Sequence, residues 1–194
     1  MARPLCLQCQ LPIARCLCEY ITPSQSDVEI IVWQHPSEIN HPKNSTRLLA
    51  ACLPELKLIH GESIPKEVFS REIGSSHRTL YLLFPQENEA SVDSSSTDID
   101  ASSVRLLILD GTWRKARKIL HLNPWLGQLP RLALTHPRPS RYHIRKAERE
   151  GQLSTLEAAC SAIEQLEKHA SNTRPILSAF DQYLLKLSRF RPQC

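Results

Sequence analysis

Val104-Arg105-Leu106-Leu107-Ile108-Leu109-Asp110-Gly111-Thr112-Trp113 is the stretch on which the fold turns. Its first six residues form the strongest strand signal in the chain, an apolar run of strand length that stops at a turn pair. Gly111 permits a sharp reversal. From Thr112 to about Leu122 the pattern becomes helical, with Thr112 suited to cap or open the helix and Trp113 in its first turn. Upstream, Val28–Trp33 reads as a buried central strand, and Leu56–His60 and Thr79–Phe84 as two more; downstream, Arg131–Thr135 reads as another. Between them, Asn44 or Ser45 caps a helix ending near Leu53, before Pro54, while two His-Pro pairs mark 35–42 as a loop. Helices over about Ser154–His169 and Arg174–Arg189 close the chain. Strands alternating with helices define an α/β domain with a largely parallel sheet flanked by helices. No internal repeat is present. The segment 86–103, rich in Ser, Asp and Glu and without a basic residue, is expected to be a solvated insertion.

The one boundary falls near residue 22. It divides a loop-built knuckle, 1–22, from the α/β domain, 23–194. Cys6, Cys9, Cys16 and Cys18 stand in the knuckle as Cys-x2-Cys-x6-Cys-x-Cys. Zinc takes four thiolates tetrahedrally, and short Cys turns let each pair chelate from one tight loop. So small a segment has no core of its own, and metal binding would supply the missing folding energy. Free thiols or two disulfides are the alternative. With four thiolates no position stays open, so the expected zinc is structural. Cys52 and Cys160 fall on apolar helical faces as core residues, and Cys194 in the tail.

The 194 residues are 41% hydrophobic and 23% charged, ordinary for a soluble globular protein. No run reaches the roughly 18 apolar residues of a membrane span, and Met1–Tyr20 lacks the apolar core of a signal peptide. A cytoplasmic protein without membrane contact is expected. The formal charge is only +4, but its distribution is uneven. Arg114, Lys115, Arg117, Lys118, Arg131, Arg138, Arg141, Arg145, Lys146 and Arg149 face a single acid, Glu148, between 111 and 149. Such a patch beside a strand-end site is the footprint of RNA phosphates, and Tyr142 and His143 offer rings for an unpaired base. A merely solvated basic face is the bland reading. In parallel α/β sheets ligands gather beyond the carboxyl ends of strands, where Asp110, Thr112 and Trp113 stand. A catalytic carboxylate with a polar anchor and a stacking wall, or a helix cap beside a core Trp, both fit that placement.

Asp110-Gly111-Thr112-Trp113 resembles the Asp-x-Thr-Trp signature of DTW-domain proteins. The four-cysteine pattern, the Glu38/Asn44/Arg47 loop, Tyr142-x-x-Arg145 and Ser154-Thr155-Leu156-Glu157-Ala158 occur in that family in the same order, across about residues 6 to 160. The resemblance implies a SPOUT-like domain whose C-terminal part is knotted around S-adenosylmethionine. It also implies a transferase that modifies tRNA. The 3-amino-3-carboxypropyl group of S-adenosylmethionine would pass to N3 of a tRNA uridine, the variable-loop uridine at position 47, giving acp3U and methylthioadenosine. The sulfonium is already a good leaving group, so the protein has mainly to position the reactants and deprotonate N3. By resemblance, Asp110 is the base or the anchor of the cofactor's amino group. Thr112 and Trp113 line the cofactor or uracil pocket, Leu134, Leu153, Ser154 and Thr155 contact the adenosine, and Glu38, Asn44 and Ser45 complete the carboxypropyl side. Arg47, Arg114, Arg117, Arg138, Arg141, Tyr142 and Arg145 are the expected tRNA contacts, and a monomer is expected. An RNA methyltransferase using the same cofactor and a zinc-containing RNA-binding protein without catalysis are the competing functions.

Overall fold

In the computed structural model, which describes residues 4–42, 44–85, 99–135, 139–140 and 153–189, every residue of the strand Val104–Asp110 is buried. It is β4 in a chain that runs β1 (Glu29–Gln34), α1 (Thr46–Cys52), β2 (Lys57–His60), α2 (Lys66–Ile73), β3 (Thr79–Leu83), β4, α3 (Trp113–Leu122), β5 (Arg131–Leu132), α4 (Thr155–Glu167) and α5 (Thr173–Ser188). The sheet order is β2-β1-β4-β3-β5, and all four pairings are parallel. Alternate side chains of the central pair feed two cores. Ile30, Val32, Leu106 and Ile108 pack with α1, α4 and α5, whereas Ile31, Trp33, Leu107 and Leu109 pack with α2 and α3. Burial on both faces explains why these strands read as continuous apolar runs.

The helix after β1 thus covers one face and the helix after β4 the other. The chain leaves these neighbouring strands in opposite directions, a topological switch point of the kind beside which parallel α/β sheets bind their ligands. Gln34 and Asp110 are register partners at that point.

The α/β class and the parallel sheet are as expected from sequence. Thr112 and Ser154 are the N-caps of α3 and α4, and Cys52 and Cys160 are fully buried. Among the described residues no helix is long and apolar enough to cross a membrane. Three details differ. The strand expected over Arg131–Thr135 pairs only at Arg131 and Leu132, because Ala133 and Thr135 bond instead to the Gln165 side chain of α4. The solvated segment does not extend to residue 103: Asp100 caps a 3-10 turn over Ala101–Ser103, and Ile99 and Ala101 pack on the core. Residues 86–98 lie outside the described part. The sequence reading also passes over α2, eight residues held between Pro65 and Gly74, the latter at φ 71°. The N-terminal knuckle is stitched to the α/β body. Leu17 enters the core, Tyr183 Oη donates to the Arg15 carbonyl at 3.0 Å, and Lys186 Nζ donates to the Cys16 carbonyl.

At the amino edge of the sheet, Arg105 is buried and gives a bidentate bond to Glu29 at 2.8 and 2.9 Å, with two further bonds to the carbonyls of Ile73 and Gly74. This ties β1, β4 and the end of α2 together. Burial alone would push the Glu29 carboxyl up, but hydrogen bonds from Arg105 and Lys57 outweigh it and hold it below its ordinary value. A lowered folded value means that the stabilisation is present above the ordinary pKa and is lost as pH falls through the folded one. Glu29→Gln strands the guanidinium and is expected to cost about 3 kcal/mol. Chemical unfolding at pH 7 should show the loss, and at a pH below both carboxyl values the difference between variant and wild type should shrink.

Candidate functional site

Asp110 ends β4 with only 5% of its surface exposed. Its Oδ2 accepts from Gln34 Nε2 at 2.6 Å and its Oδ1 from Thr155 Oγ1 at 2.5 Å. Gln34 comes from the neighbouring strand and Thr155 from the first turn of α4, so one carboxylate joins three elements. Local chemistry fixes each of them. Ser154 and Glu157 close a capping box that sets the start of α4. Thr112 accepts from the Lys115 N–H and starts α3. At Gly111 a Cβ would come within 2.9 Å of Lys115 Cβ and 3.6 Å of His35 Cβ, so only glycine lets α3 turn back this closely.

Beyond the carboxyl ends of β3, β4 and β5 lies a cavity of about 430 Å³, mostly apolar, with Phe84, Trp113, Leu132, Leu134, Leu153 and Thr155 in its wall. That volume falls in the range of about 300–1,000 Å³ typical of small-molecule sites. Trp113 stands at its mouth, 38% exposed, edge-on to Phe84 with centroids 5.6 Å apart. Arg131 covers the Phe84 ring at 5.5 Å.

Of the residues singled out from sequence, Trp113, Leu134, Leu153 and Thr155 line this cavity, and Asp110 adjoins it through Thr155. The side chains of Thr112 and Ser154 are engaged in capping. Glu38, Asn44 and Ser45 build the β1–α1 loop and are not in the cavity wall. Glu38 is buried and bonded to Lys115 Nζ at 2.7 Å, Asn44 spans the Glu38 carbonyl and the Thr46 N–H, and Ser45 Oγ accepts weakly from the Leu156 N–H. Arg47 donates to the Ile39 carbonyl in the same loop. On α3, Lys115 and Lys118 turn to Glu38 and Glu62, whereas Arg114 and Arg117, one turn apart, are exposed. Arg138, Arg141, Tyr142 and Arg145 lie outside the described residues.

Sequence reading missed Gln34, Phe84 and the pair His35–Glu62. His35 Nε2 meets Glu62 at 2.7 Å, and a hydrogen bond from Lys118 holds the Glu62 carboxyl below its ordinary value. Gln34 had a signal: a polar residue closing a strand otherwise buried throughout its centre.

In the knuckle the Sγ atoms of Cys6, Cys9, Cys16 and Cys18 all lie within 4.8 Å of one another, with Cys6–Cys18 at 3.7 Å and Cys9–Cys16 at 3.8 Å. A tetrahedral ion with bonds of about 2.3 Å sets its sulfurs about 3.8 Å apart. All four cysteines are free, so the geometry is that of a metal cage and not of two disulfides. The turn that forms it has Gln10 at φ 57° and a Leu5–Pro12 bridge. The N–H groups of Cys9 and Gln8 bring the Cys6 thiol down to about 6. Burial and the neighbouring thiols push Cys18 up to about 12. The donor set fits zinc.

Taken together, these features describe a parallel α/β protein with a cavity at its strand ends and a four-cysteine knuckle docked on its helical layer. The chain belongs to the DTW domain family, whose profile matches residues 3–187. It is 32% identical over 174 residues to tRNA-uridine aminocarboxypropyltransferase 2 of Mus musculus, an alignment covering 86% of this chain and 58% of the relative. With the protein of the same name from Macaca fascicularis it shares 30% identity over 173 residues, covering 86% of this chain and 58% of that one. With the Drosophila melanogaster protein of that name it shares 31% over 172 residues, covering 85% and 67%. The chain therefore spans little more than half the length of its mammalian relatives. No solved structure matches it significantly.

Elemental analysis of the purified protein should find one zinc per chain. Cys16→Ser should lose it and become more sensitive to proteolysis within residues 1–22. The ligands must be thiolates, so the wild-type metal should also be released as pH falls. A wild-type protein without metal would contradict the cage.

Proposed function

We propose that the chain is an S-adenosylmethionine-dependent tRNA-uridine aminocarboxypropyltransferase that converts a tRNA uridine, the variable-loop uridine at position 47, to acp3U. What carries this reading is the neighbourhood of the DTW signature. Trp113 lines the cavity, and Asp110 is bonded to Thr155, which lines it too. The names of the relatives point the same way.

S-adenosylmethionine supplies an electrophilic carbon attached to a sulfonium. In the transfer, a bond forms between that carbon and uracil N3, the carbon–sulfur bond breaks, methylthioadenosine leaves and the N3 proton goes to a base. An ionised carboxylate has room for about four acceptor contacts. Gln34 and Thr155 take two at Asp110, which leaves acceptor capacity for the N3 proton or for the donor's ammonium. Leu134, Leu153 and Thr155 wall the adenosine side, and Trp113 lines the cofactor or uracil pocket. Thr112 and Ser154 cap the helices that begin at Trp113 and Thr155, and Glu38, Asn44 and Ser45 shape the carboxypropyl side from the β1–α1 loop. Arg47, Arg114, Arg117, Arg138, Arg141, Tyr142 and Arg145 bind the tRNA. Zinc in the knuckle is structural, so we divide the chain into the knuckle, 1–22, and a SPOUT-like catalytic domain, 23–194, with a C-terminal knot. A monomer working in the cytoplasm completes the reading.

S-adenosylmethionine labelled separately on the methyl and carboxypropyl carbons tests it. Nucleoside mass spectrometry of tRNA should find label only from the carboxypropyl carbons; methyl label would make the protein a methyltransferase, and no label would remove the activity. Asp110→Asn is expected to lower turnover by about 10²–10⁴-fold. Calorimetry then separates its roles: unchanged cofactor affinity marks the base, and weakened affinity the anchor. Near-wild-type turnover in that variant would remove Asp110 from the reaction.

A further inference from the structure

Trp113 differs from the other two tryptophans of the chain. Trp33 and Trp125 pack around Phe69, and each donates its indole N–H, to the carbonyls of Gly61 at 2.8 Å and Ile64 at 3.2 Å. Trp113 is 38% exposed and is the one aromatic among the exposed large hydrophobic residues of the described chain. Its N–H has no acceptor among the described residues, and its one ring contact there is edge-on, with Phe84. In an edge-on pair the rim of one ring meets the face of the other, so at least one face of the indole carries no ring. An apolar plate with an open face and an unused donor, set in a cavity wall, suits a planar ligand.

Two arginines lie beside it. Arg117 is exposed and stands four residues after Trp113 on α3, so both project from one side of that helix. Arg131 reaches the same wall from β5. Its register partner Leu82 packs with Phe84 in the core shared with α3, so Arg131 projects from that face of the sheet. There its guanidinium lies 5.5 Å over the Phe84 ring and donates at 3.3 Å to the carbonyl of Pro85, which also lines the cavity. Among the described residues neither arginine is paired with an acid, whereas Lys115 and Lys118 of α3 are.

Size and connectivity choose the occupant. A cavity of about 430 Å³ admits a small donor but not a polynucleotide, so an acceptor base on a chain comes to the mouth, where Trp113 stands. N3 lies on the pairing edge of uracil. The base must therefore be unpaired and present that edge to the donor, which leaves its faces to be held. A nucleotide within a chain also brings a phosphate on each side, and a guanidinium matches phosphate. We infer that Trp113 is the platform on which the target uracil stacks, with Arg117 and Arg131 holding the phosphates next to it. The inference rests on the tRNA reading given above, and it gives the ring to the RNA and not to the adenine of the donor.

Affinity of the zinc-loaded full chain should be measured for unmodified tRNA and for the same tRNA made abasic at the uridine that isotope labelling identifies. Loss of a stacked base or of its aromatic partner costs about five- to a hundredfold in affinity. Wild type should lose at least about fivefold on the abasic tRNA. Trp113→Leu should lose as much on the intact tRNA and nothing further on the abasic one, while Trp113→Phe, which keeps a ring, should recover most of the loss. Both variants should bind S-adenosylmethionine as wild type does. Arg131→Gln should lower the slope of log affinity against log salt by about one unit. If Trp113→Leu distinguishes the two tRNAs as wild type does, the base stacks elsewhere. If it loses affinity for S-adenosylmethionine while Trp113→Phe keeps it, the ring belongs to the donor's adenine and the inference is wrong. Either result leaves the transferase reading in place as long as wild type passes carboxypropyl label to tRNA; without that transfer both fall. Should Trp113→Leu not fold, equal affinity of wild type for the two tRNAs, or an unchanged slope in Arg131→Gln, still overturns the inference.

Discussion

The carboxylate of Asp110, accepting from Gln34 on one side and Thr155 on the other, is the interaction on which the architecture of the site depends. It sits where the chain leaves β1 and β4 toward opposite faces, so the sheet's own hydrogen bonding ends there and side chains must take over. A buried polar group stranded without partners costs several kcal/mol at most positions, and a buried charge more. Supplying partners from a second strand and from a helix far along the sequence turns that liability into a join. The cavity wall follows from it: Thr155 brings α4 to the strand ends, and Gly111 and Thr112 turn α3 away directly after the carboxylate.

The same economy shapes the rest of the rim. Glu38 is buried with Lys115, so the β1–α1 loop is fastened to the first turn of α3. Glu62 takes His35 and Lys118, fastening the segment after β2 to the next turn. The lysines of the basic helix are thereby used inside the protein, and the arginines Arg114 and Arg117 are left to face outward. A guanidinium suits phosphate better than an ammonium does, because its planar fork can bond two oxygens at once. At the opposite edge of the sheet the Glu29–Arg105 pair holds β1, β4 and the end of α2 together.

Much of this is legible in the amino-acid sequence alone. The central strands announce themselves because burial on both faces leaves no polar alternation, and the caps at Thr112 and Ser154 because their hydroxyls precede helical patterns. The four cysteines can be read because a segment of such size needs a metal. What escapes is decided by partners far apart in sequence. Gln34 is one residue past the apolar run of β1, and only its register with Asp110 gives it a role. Thr135 reads as strand but bonds to Gln165 of α4. In α2, Phe69 and Ile73 reach the core from so short a helix that periodicity hardly develops. Phe84 reads as the end of a strand, and its place in the cavity wall appears only when α3 brings Trp113 against it.

What fills the cavity at the carboxyl ends of β3, β4 and β5 decides whether Asp110 and its neighbours serve a transferase. A crystal structure of the chain with S-adenosylmethionine or methylthioadenosine is the most direct measurement. The expected result is adenosine density against Leu134 and Leu153, with the sulfur directed toward the side of the site where Thr155 holds Asp110. Ligand bound at another surface, with the cavity and the Asp110 carboxylate untouched, would contradict that role.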